Sequence, residues 1–443
     1  MKPIKIVFWC TLLLPVLFWR MADSFPVTLG WFVWRPTVVQ LSGMLAIGVM
    51  SLATLLALRP VWLEEKLNGL DKMYRLHKWL GISALVLGIL HWWWAEGTRW
   101  MVDWGWLVRP ERKPRPPAEP GTLEALLNAW HQPAEVVGEW AFYAALVLLV
   151  LALVKRFPYR IFAKTHTILA ALYLLLAWHS LALLRQAYWA QPVGWLVALF
   201  LVAGSFSALL ILFRRTGHHR KVKGQVVALE QDREGDTLRV EVELAHGWQG
   251  HEAGQFAFVT SDSKEGAHPY TIATAWNEKT RRLAFVIKAL GDHTRELPET
   301  LRVAHPVTVE GPYGCFTFDG AAKRQIWIGA GIGITPFLAR LQTLRENPDG
   351  RAITLFHPVG AAAAESLENL KTEAAAAGVE THIIISPRDG FLTGEKIRAA
   401  VPDWKEASFW FCGPAGFGKA LRTDFIAQGL SPDAFHQELF EMR

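Results

Sequence analysis

The sequence predicts a multidomain membrane protein: a six-helix transmembrane bundle, then an antiparallel β-barrel domain, then an α/β doubly wound domain. Three observations carry this reading. Apolar segments crowd the first 215 residues. Short β-like runs between Gly, Asp and Asn turns fill about 217–318, and from about 323 onward strand-like and helical stretches alternate.

Composition bounds the answer. The chain has 443 residues, is 51% hydrophobic and holds 22 tryptophans, far above ordinary usage for a soluble protein. Its net charge of +6 is small for this length, and no basic face interleaved with aromatics supports a nucleic-acid partner. Three scattered cysteines, Cys10, Cys315 and Cys412, suggest neither a disulfide framework nor a metal cluster.

The bundle comes first. Segments near 4–20, 37–58, 76–96, 136–154, 161–183 and 193–213 each approach the ~17–25 residues that cross a bilayer. Lys2 and Lys5, then Arg59, Lys66, Lys72 and Arg75, then Lys155, Arg156, Arg160 and Lys164, then Arg214, Arg215, Arg220, Lys221 and Lys223 fall on one side. The positive-inside rule makes that side the cytoplasm, and "GWFVWRP" and "HWWWAEGTRWMVDWGW" supply tryptophans for the outer interface. The basic, Pro-rich "RPERKPRPPAEPG" (109–121) lies on the outer side and reads as an extended linker. The first segment is either a signal peptide or a retained helix; no A-x-A-like site follows it, which favours retention. Either way the C-terminal half lies in the cytoplasm, in a multi-pass protein of the cell membrane.

Two apolar segments carry paired histidines. His77 and His91 are fourteen residues apart in the third segment, and His166 and His179 are thirteen apart in the fifth. Both segments run in the same direction, so His77 pairs in depth with His166 near the inner face, and His91 with His179 near the outer one. Ionisable groups inside a bilayer are costly and usually mark function. Two such pairs, roughly 20 Å apart along the helices, suit bis-histidine ligation of two b-type haems. One spacing resists: thirteen residues at ~100° each leave His166 and His179 about 140° apart in facing. The fifth helix must bend, tighten or present its histidines on different sides.

The β-barrel is expected from "KGQVVALEQ", "TLRVEVEL", "QFAFVT", "RLAFVIKAL" and "PVTVEGPYG". The doubly wound sheet is expected from "RQIWIGA", a helix near 336–346, "AITLFH", a helix near 363–377, "THIIIS" and "SFWFCGP". Within "IWIGAGIGITPFLARL" a hydrophobic strand ends in Gly329, Gly331 and Gly333, and Thr335 and Pro336 open a helix. Such a junction is either a phosphate-binding loop or a structural tight turn.

"HPYTIAT" (268–274), "IKALGDHT" (287–294), "GPYG" (311–314), "GAGIGITP" (329–336) and "FCGP" (411–414), in that order, resemble the flavin reductases of the ferredoxin–NADP reductase type. Joined to a six-helix domain with paired histidines, the whole resembles the NADPH oxidase and ferric reductase superfamily. The resemblance implies three domains: a haem-binding transmembrane domain over 1–215, a FAD-binding domain over 217–318 and an NAD(P)-binding domain over 319–443. It implies FAD and NADPH or NADH as cofactors beside the haems. His268, Pro269, Tyr270 and Thr271 would line the flavin ring, and Lys288, Gly291 and Thr294 would lie near its chain and pyrophosphate. Gly329, Gly331, Gly333, Thr335 and Pro336 would hold the dinucleotide phosphates. Cys412, Gly413 and Pro414 would sit beside the nicotinamide, with Cys412 catalytic, and Phe440 would cover the flavin face. Ser386 and Arg388, just after a strand, match the Ser–Arg pair that reads the 2′-phosphate of NADPH, although Pro387 intervenes. Each residue has a plainer role available: Cys412, Tyr270 and Phe440 as core residues, Lys288 and Arg388 as solvated charges. No calcium-binding loop of the D-x-D-x-D-G type precedes the bundle, so control by calcium is not expected.

The activity implied is electron transfer from cytosolic NAD(P)H through FAD and two haems to an outer acceptor, either dioxygen or a ferric chelate, with no protein partner required. Arg75, Lys78, Arg160 and Lys164 lie at the depth of the inner haem's propionates, or serve only as positive-inside anchors. Two other readings stand beside this one. The first is an electron-delivery subunit that feeds a protein partner or quinone. The second is a transporter with a nucleotide-binding regulatory domain, which lacks the internal repeats and broken helices of that class.

Overall fold

The computed structural model describes residues 2–110, 121–154, 159–360 and 364–438. They form two compact units, one within residues 2–67 and 72–216 and the other within residues 68–71 and 217–438.

The first unit is helical: α1 (Lys2–Ala22), α2 (Trp31–Ala57), α3 (Leu70–Trp92), α4 (Leu123–Leu153), α5 (Tyr159–Leu183) and α6 (Pro192–Leu212). Among the described residues five helices are long and apolar enough to cross a membrane: α1, α2, Asn128–Leu153 of α4, Ile161–Leu183 of α5, and α6. Hydropathy alone does not select α3, because Asp71, Lys72, Arg75, His77, Lys78 and His91 dilute its apolar residues. Most of the 109–121 linker lies outside the described residues.

Polar contacts inside this unit join helices. The Tyr173 hydroxyl, on α5 between the two histidines, meets Ser51 of α2 at 2.8 Å and donates to the Phe200 carbonyl of α6 at 3.3 Å. Gly204 leaves room for that phenol, since a Cβ there would meet its oxygen. Near one end, Trp19 Nε1 donates to Tyr188 Oη at 3.0 Å, and Tyr188 donates to Asp23 at 2.7 Å, fastening α1 to the turn before α6. Satisfied polar groups are required here because lipid offers no partners.

In the second unit, a six-stranded antiparallel sheet comprises β1 (Lys221–Asp232), β2 (Thr237–Leu244), β3 (Phe256–Thr260), β4 (His268–Thr271), β5 (Arg282–Lys288) and β6 (Pro306–Tyr313), with α7 (Asp292–Thr300) before β6. The order is β4-β3-β6-β1-β2-β5, and an antiparallel bridge from Ile272 to Phe285 links the chain after one edge strand to the other edge. β2 alternates along its length: Leu238, Val240, Val242 and Leu244 enter the core while Arg239, Glu241 and Glu243 face out.

The second sheet is parallel, in the order β11-β10-β7-β8-β9. Its elements are β7 (Arg324–Gly329), α8 (Thr335–Glu346), β8 (Ala352–Val359), α9 (Ala364–Ala376), β9 (Glu380–Ile385), α10 (Gly394–Ala400), β10 (Ser408–Cys412), α11 (Ala415–Ala427) and β11 (Phe435–Gln437). Its central strands are buried on both faces, so they read as unbroken apolar runs. Trp327 and Trp410 join Phe337, Leu341 and Leu370 of α8 and α9 on one side. Ile326, Ile328, Phe409 and Phe411 join Ile397, Leu421 and Phe425 of α10 and α11 on the other.

Candidate functional site

The four histidines of the helical unit meet as two pairs. The rings of His77 and His166 lie 5.8 Å apart, centre to centre, and those of His91 and His179 lie 6.2 Å apart. A metal held between two imidazoles at ~2.0–2.1 Å sets ring centres roughly 6.3 Å apart, so both pairs fit a metal between them. Three rings are oriented by backbone carbonyls. Nδ1 of His77 donates to Ala53 at 2.9 Å, that of His91 to Val39 at 3.0 Å and that of His179 to Ala134 at 2.8 Å. A carbonyl only accepts, so these Nδ1 atoms carry the proton and each Nε2 keeps its lone pair for a metal. Nδ1 of His166 is buried without a hydrogen bond, and its ring lies on Phe162 at 5.0 Å. Glycines make room: a Cβ at Gly138 would overlap the His179 ring, and one at Gly43 would come within 3.1 Å of His91.

α5 runs unbroken as an α-helix past both of its histidines. The thirteen-residue spacing is therefore met by presenting the two rings on different faces, each answered by one histidine of α3. Beyond His91 the chain forms a π-helical turn, Trp93–Gly97, and Arg35 donates to the carbonyls of Trp94 at 3.2 Å and Ala95 at 2.9 Å. Carbonyls loosened by the wider turn thereby regain donors.

In the second unit, His268 and Tyr270 lie on the short β4, paired with Val259 and Ala257 of β3. Tyr270 packs on the core of the sheet beside Phe285, and burial pushes its phenol above the usual range. The His268 ring stacks on His293 at 4.0 Å. Burial, with His293 alongside, lowers His268 to about 4, so its imidazole is neutral at ordinary pH. Pro269 and Thr271 are half-buried neighbours on the same strand, and Lys288 ends β5 opposite Thr237. Gly291 caps α7, and Thr294 accepts from the Leu290 and Gly291 amides at 2.9 and 3.0 Å. Thr294 thus has a local structural role in shaping a helix N-terminus, the feature that attracts anions.

The parallel sheet switches direction between β7 and β10, and open α/β sheets bind ligands at the carboxyl ends of strands beside such a point. Gly329 and Cys412 are register partners there, and the Ala330 amide donates to the Cys412 carbonyl at 2.9 Å. Gly331 has φ +55°, in the left-handed region, within the turn that leads into α8. Gly333 abuts the Cys412 carbonyl so closely that a Cβ would overlap it, and a Cβ at Gly413 would lie 2.6 Å from that of Ala330. Thr335 begins α8 with Pro336 next, and Pro414 sits just before α11. The two loops singled out from sequence are therefore neighbours. The Cys412 thiol is 2% exposed; burial, reinforced by the Glu438 carboxyl, pushes its pKa well up, which keeps it protonated.

Ser386 and Arg388 follow β9, but Arg388 spends Nε and an NH2 on Asp389 at 2.8 and 2.9 Å. That bond, with the Ile385 amide, lowers Asp389 to about 2. Phe440 lies outside the described residues.

Sequence reasoning missed two residues. Glu438, 3% exposed, sits near both Cys412 and Gly314, where a Cβ would lie 3.0 Å from its carboxyl oxygen. His357 on β8 donates from Nδ1 to the Gly329 carbonyl at 2.6 Å and so holds the start of the glycine turn. A buried acid beside the terminal aromatic, and a histidine in an otherwise apolar strand, were the available signals.

Two family models match this chain: a ferric reductase like transmembrane component over residues 42–177 and a FAD-binding domain over residues 222–317. Among relatives, a flavohemoprotein from Oceanobacillus iheyensis is 22% identical over 199 residues, 42% of this chain and 49% of that one. NADPH oxidase 1 from Mus musculus is 34% identical over 100 residues, 21% of this chain and 17% of that one. Ferric reduction oxidase 5 from Arabidopsis thaliana is 34% identical over 104 residues, 23% of this chain and 15% of that one. The chain thus spans about half the length of the first relative and under a fifth of the other two. The match to a ferric reductase like transmembrane component, followed by the match to a FAD-binding domain, supports the NADPH oxidase and ferric reductase superfamily for this chain.

Proposed function

We propose that the protein carries electrons from NAD(P)H through FAD and two b-type haems to an acceptor across the membrane, either dioxygen or a ferric chelate. The observation that carries this reading is the pair of histidine couples at 5.8 and 6.2 Å, with three of the rings already oriented for metal binding. FAD when bound accepts a hydride and releases single electrons, and bis-histidine haem relays them one at a time.

The chain's own residues have defined tasks. α3 joins the five apolar helices as a sixth span, and His77 with His166, and His91 with His179, hold the two irons. Residues 217–318 form the flavin barrel, closed by the Ile272–Phe285 bridge, and 319–443 the nucleotide domain. The Gly329–Gly333 turn and the α8 N-terminus hold the dinucleotide phosphates, with His357 fixing that turn. Cys412, kept protonated, and Glu438 face the nicotinamide, and Gly413 and Pro414 shape the loop beside them. His268, Pro269, Tyr270, Thr271, Lys288, Gly291 and Thr294 border the flavin, and Phe440 covers it. Positive residues between spans support a cytoplasmic position for this half.

Optical spectra of purified protein under argon test the reading. Added NADPH should bleach the flavin band and then sharpen the haem bands, and oxygen or ferric citrate should reverse both. A bleached flavin with haem bands unchanged would overturn the transmembrane circuit.

Two further outcomes are expected. Gly138→Val should push the His179 ring out of place and lower haem content towards one per chain, measured by pyridine haemochrome. Arg388→Ala should raise KM for NADPH about tenfold, through loss of a charged contact to the 2′-phosphate, and leave KM for NADH unchanged. Asp389→Asn, which frees that guanidinium and removes a neighbouring negative charge, should lower KM for NADPH. Equal effects on both nucleotides would remove Arg388 from phosphate reading.

A further inference from the structure

One cluster in the second unit is not accounted for by electron transfer. Glu265 lies on the turn between β3 and β4, His268 opens β4, and His293 is the second residue of α7. One ligand atom from each lies within 4.8 Å of the others, and all three side chains are half-buried. The carboxylates of Asp262, Glu265 and Glu296 all act on His293, so the pocket carries a negative field.

We propose that Glu265, His268 and His293 form a binding site for a divalent first-row transition metal ion, zinc being the representative case. Two imidazoles and one carboxylate make a three-ligand set with one position left open, as in non-structural zinc sites. Nitrogen donors select such ions over magnesium and calcium. Ligand atoms around tetrahedral zinc stand about 3.3 Å apart, so the cluster has to contract by at most about 1.5 Å. Side-chain rotation supplies this on Glu265, whose turn ends at Gly266 with φ +91° and open space around it. The stacked His268 and His293 rings tilt from near-parallel to aim their lone pairs at one point.

The location gives the site a consequence that rests on the flavin reading above. His268 and the α7 N-terminus border the proposed flavin cleft, so metal and FAD exclude one another. Zinc would then act as a brake on flavin loading.

The test uses the full-length chain in detergent, freed of flavin, titrated with Zn2+ against a chromophoric chelator. The parent protein is expected to take up one more zinc than either His293→Phe, which keeps a ring against His268, or Glu265→Gln. In each variant the affinity at this site should fall at least tenfold. A thousandfold excess of Mg2+ should not displace the ion. Equal zinc uptake and affinity in parent and both variants would overturn the site. Added FAD should release that one zinc from the parent protein; FAD bound with zinc retained would overturn the exclusion. If the parent takes up no FAD, the flavin reading fails instead, and the zinc counts alone decide the metal site.

Discussion

His77→Ala or His166→Ala is expected to leave one haem per chain where the parent carries two, and to stop electrons beyond the flavin. The pair's rings stand 5.8 Å apart, so each imidazole is the other's partner across the metal position. Loss of an outer-shell partner alone costs tenfold to a hundredfold in metal affinity; loss of the ligand itself removes six-coordination outright. The helical unit should survive the change, because its cohesion comes from contacts elsewhere, such as Tyr173 with Ser51 and Trp19 with Tyr188. Pyridine haemochrome and protein assays on the purified variants give the ratio. Two haems per chain in either variant would refute the ligand assignment. NADPH should still bleach the flavin in these variants while the remaining haem stays oxidised, because the gap to the outer pair is then unbridged.

Different parts of this architecture were legible in the sequence to different degrees. Histidine pairing across α3 and α5 follows from residue spacing and span direction, because rise per residue converts directly to depth. Hydropathy alone falls short on α3, whose first turns carry Asp71, Lys72, Arg75 and Lys78; its histidines, not its apolar content, identify it. The parallel strands were plain because two-sided burial leaves unbroken apolar runs, as in "IWIG" and "FWFC". β4 was not: four residues with a proline in second place give no alternation to detect, and only the motif around His268 marks it. Three-residue β11 was equally silent. Glu438 and His357 act through neighbours more than twenty residues away in the chain, Cys412 and Gly329. No local pattern encodes such a partner. The neighbouring positions of the Gly329–Gly333 and Cys412–Pro414 loops also needed the sheet order, which places β10 beside β7.

The second large effect expected is directional. In sealed vesicles with the flavin-bearing half outward, NADPH added outside should reduce an impermeant acceptor trapped inside. His77 and His166 stand at one depth of α3 and α5, and His91 and His179 about 20 Å further along the helices. Beyond His91 the chain passes into the tryptophan-rich turn that Arg35 braces. On the proposed circuit, an electron leaving the second pair should therefore emerge on the face opposite the positive residues that precede β1. In the proposed circuit electrons cross and protons need not, so turnover should build a potential that opposes further transfer. At 100 mV each electron works against about 2.3 kcal/mol, enough to slow steady turnover severalfold. An uncoupler should relieve that brake and raise the rate, and it should do nothing in detergent, where no potential forms. His91→Ala should abolish reduction inside the vesicle while NADPH still reduces a small dye outside, since the flavin keeps its own access to solvent. If the parent reduces only acceptor on the NADPH side, electrons stop at the flavin and the membrane is not crossed.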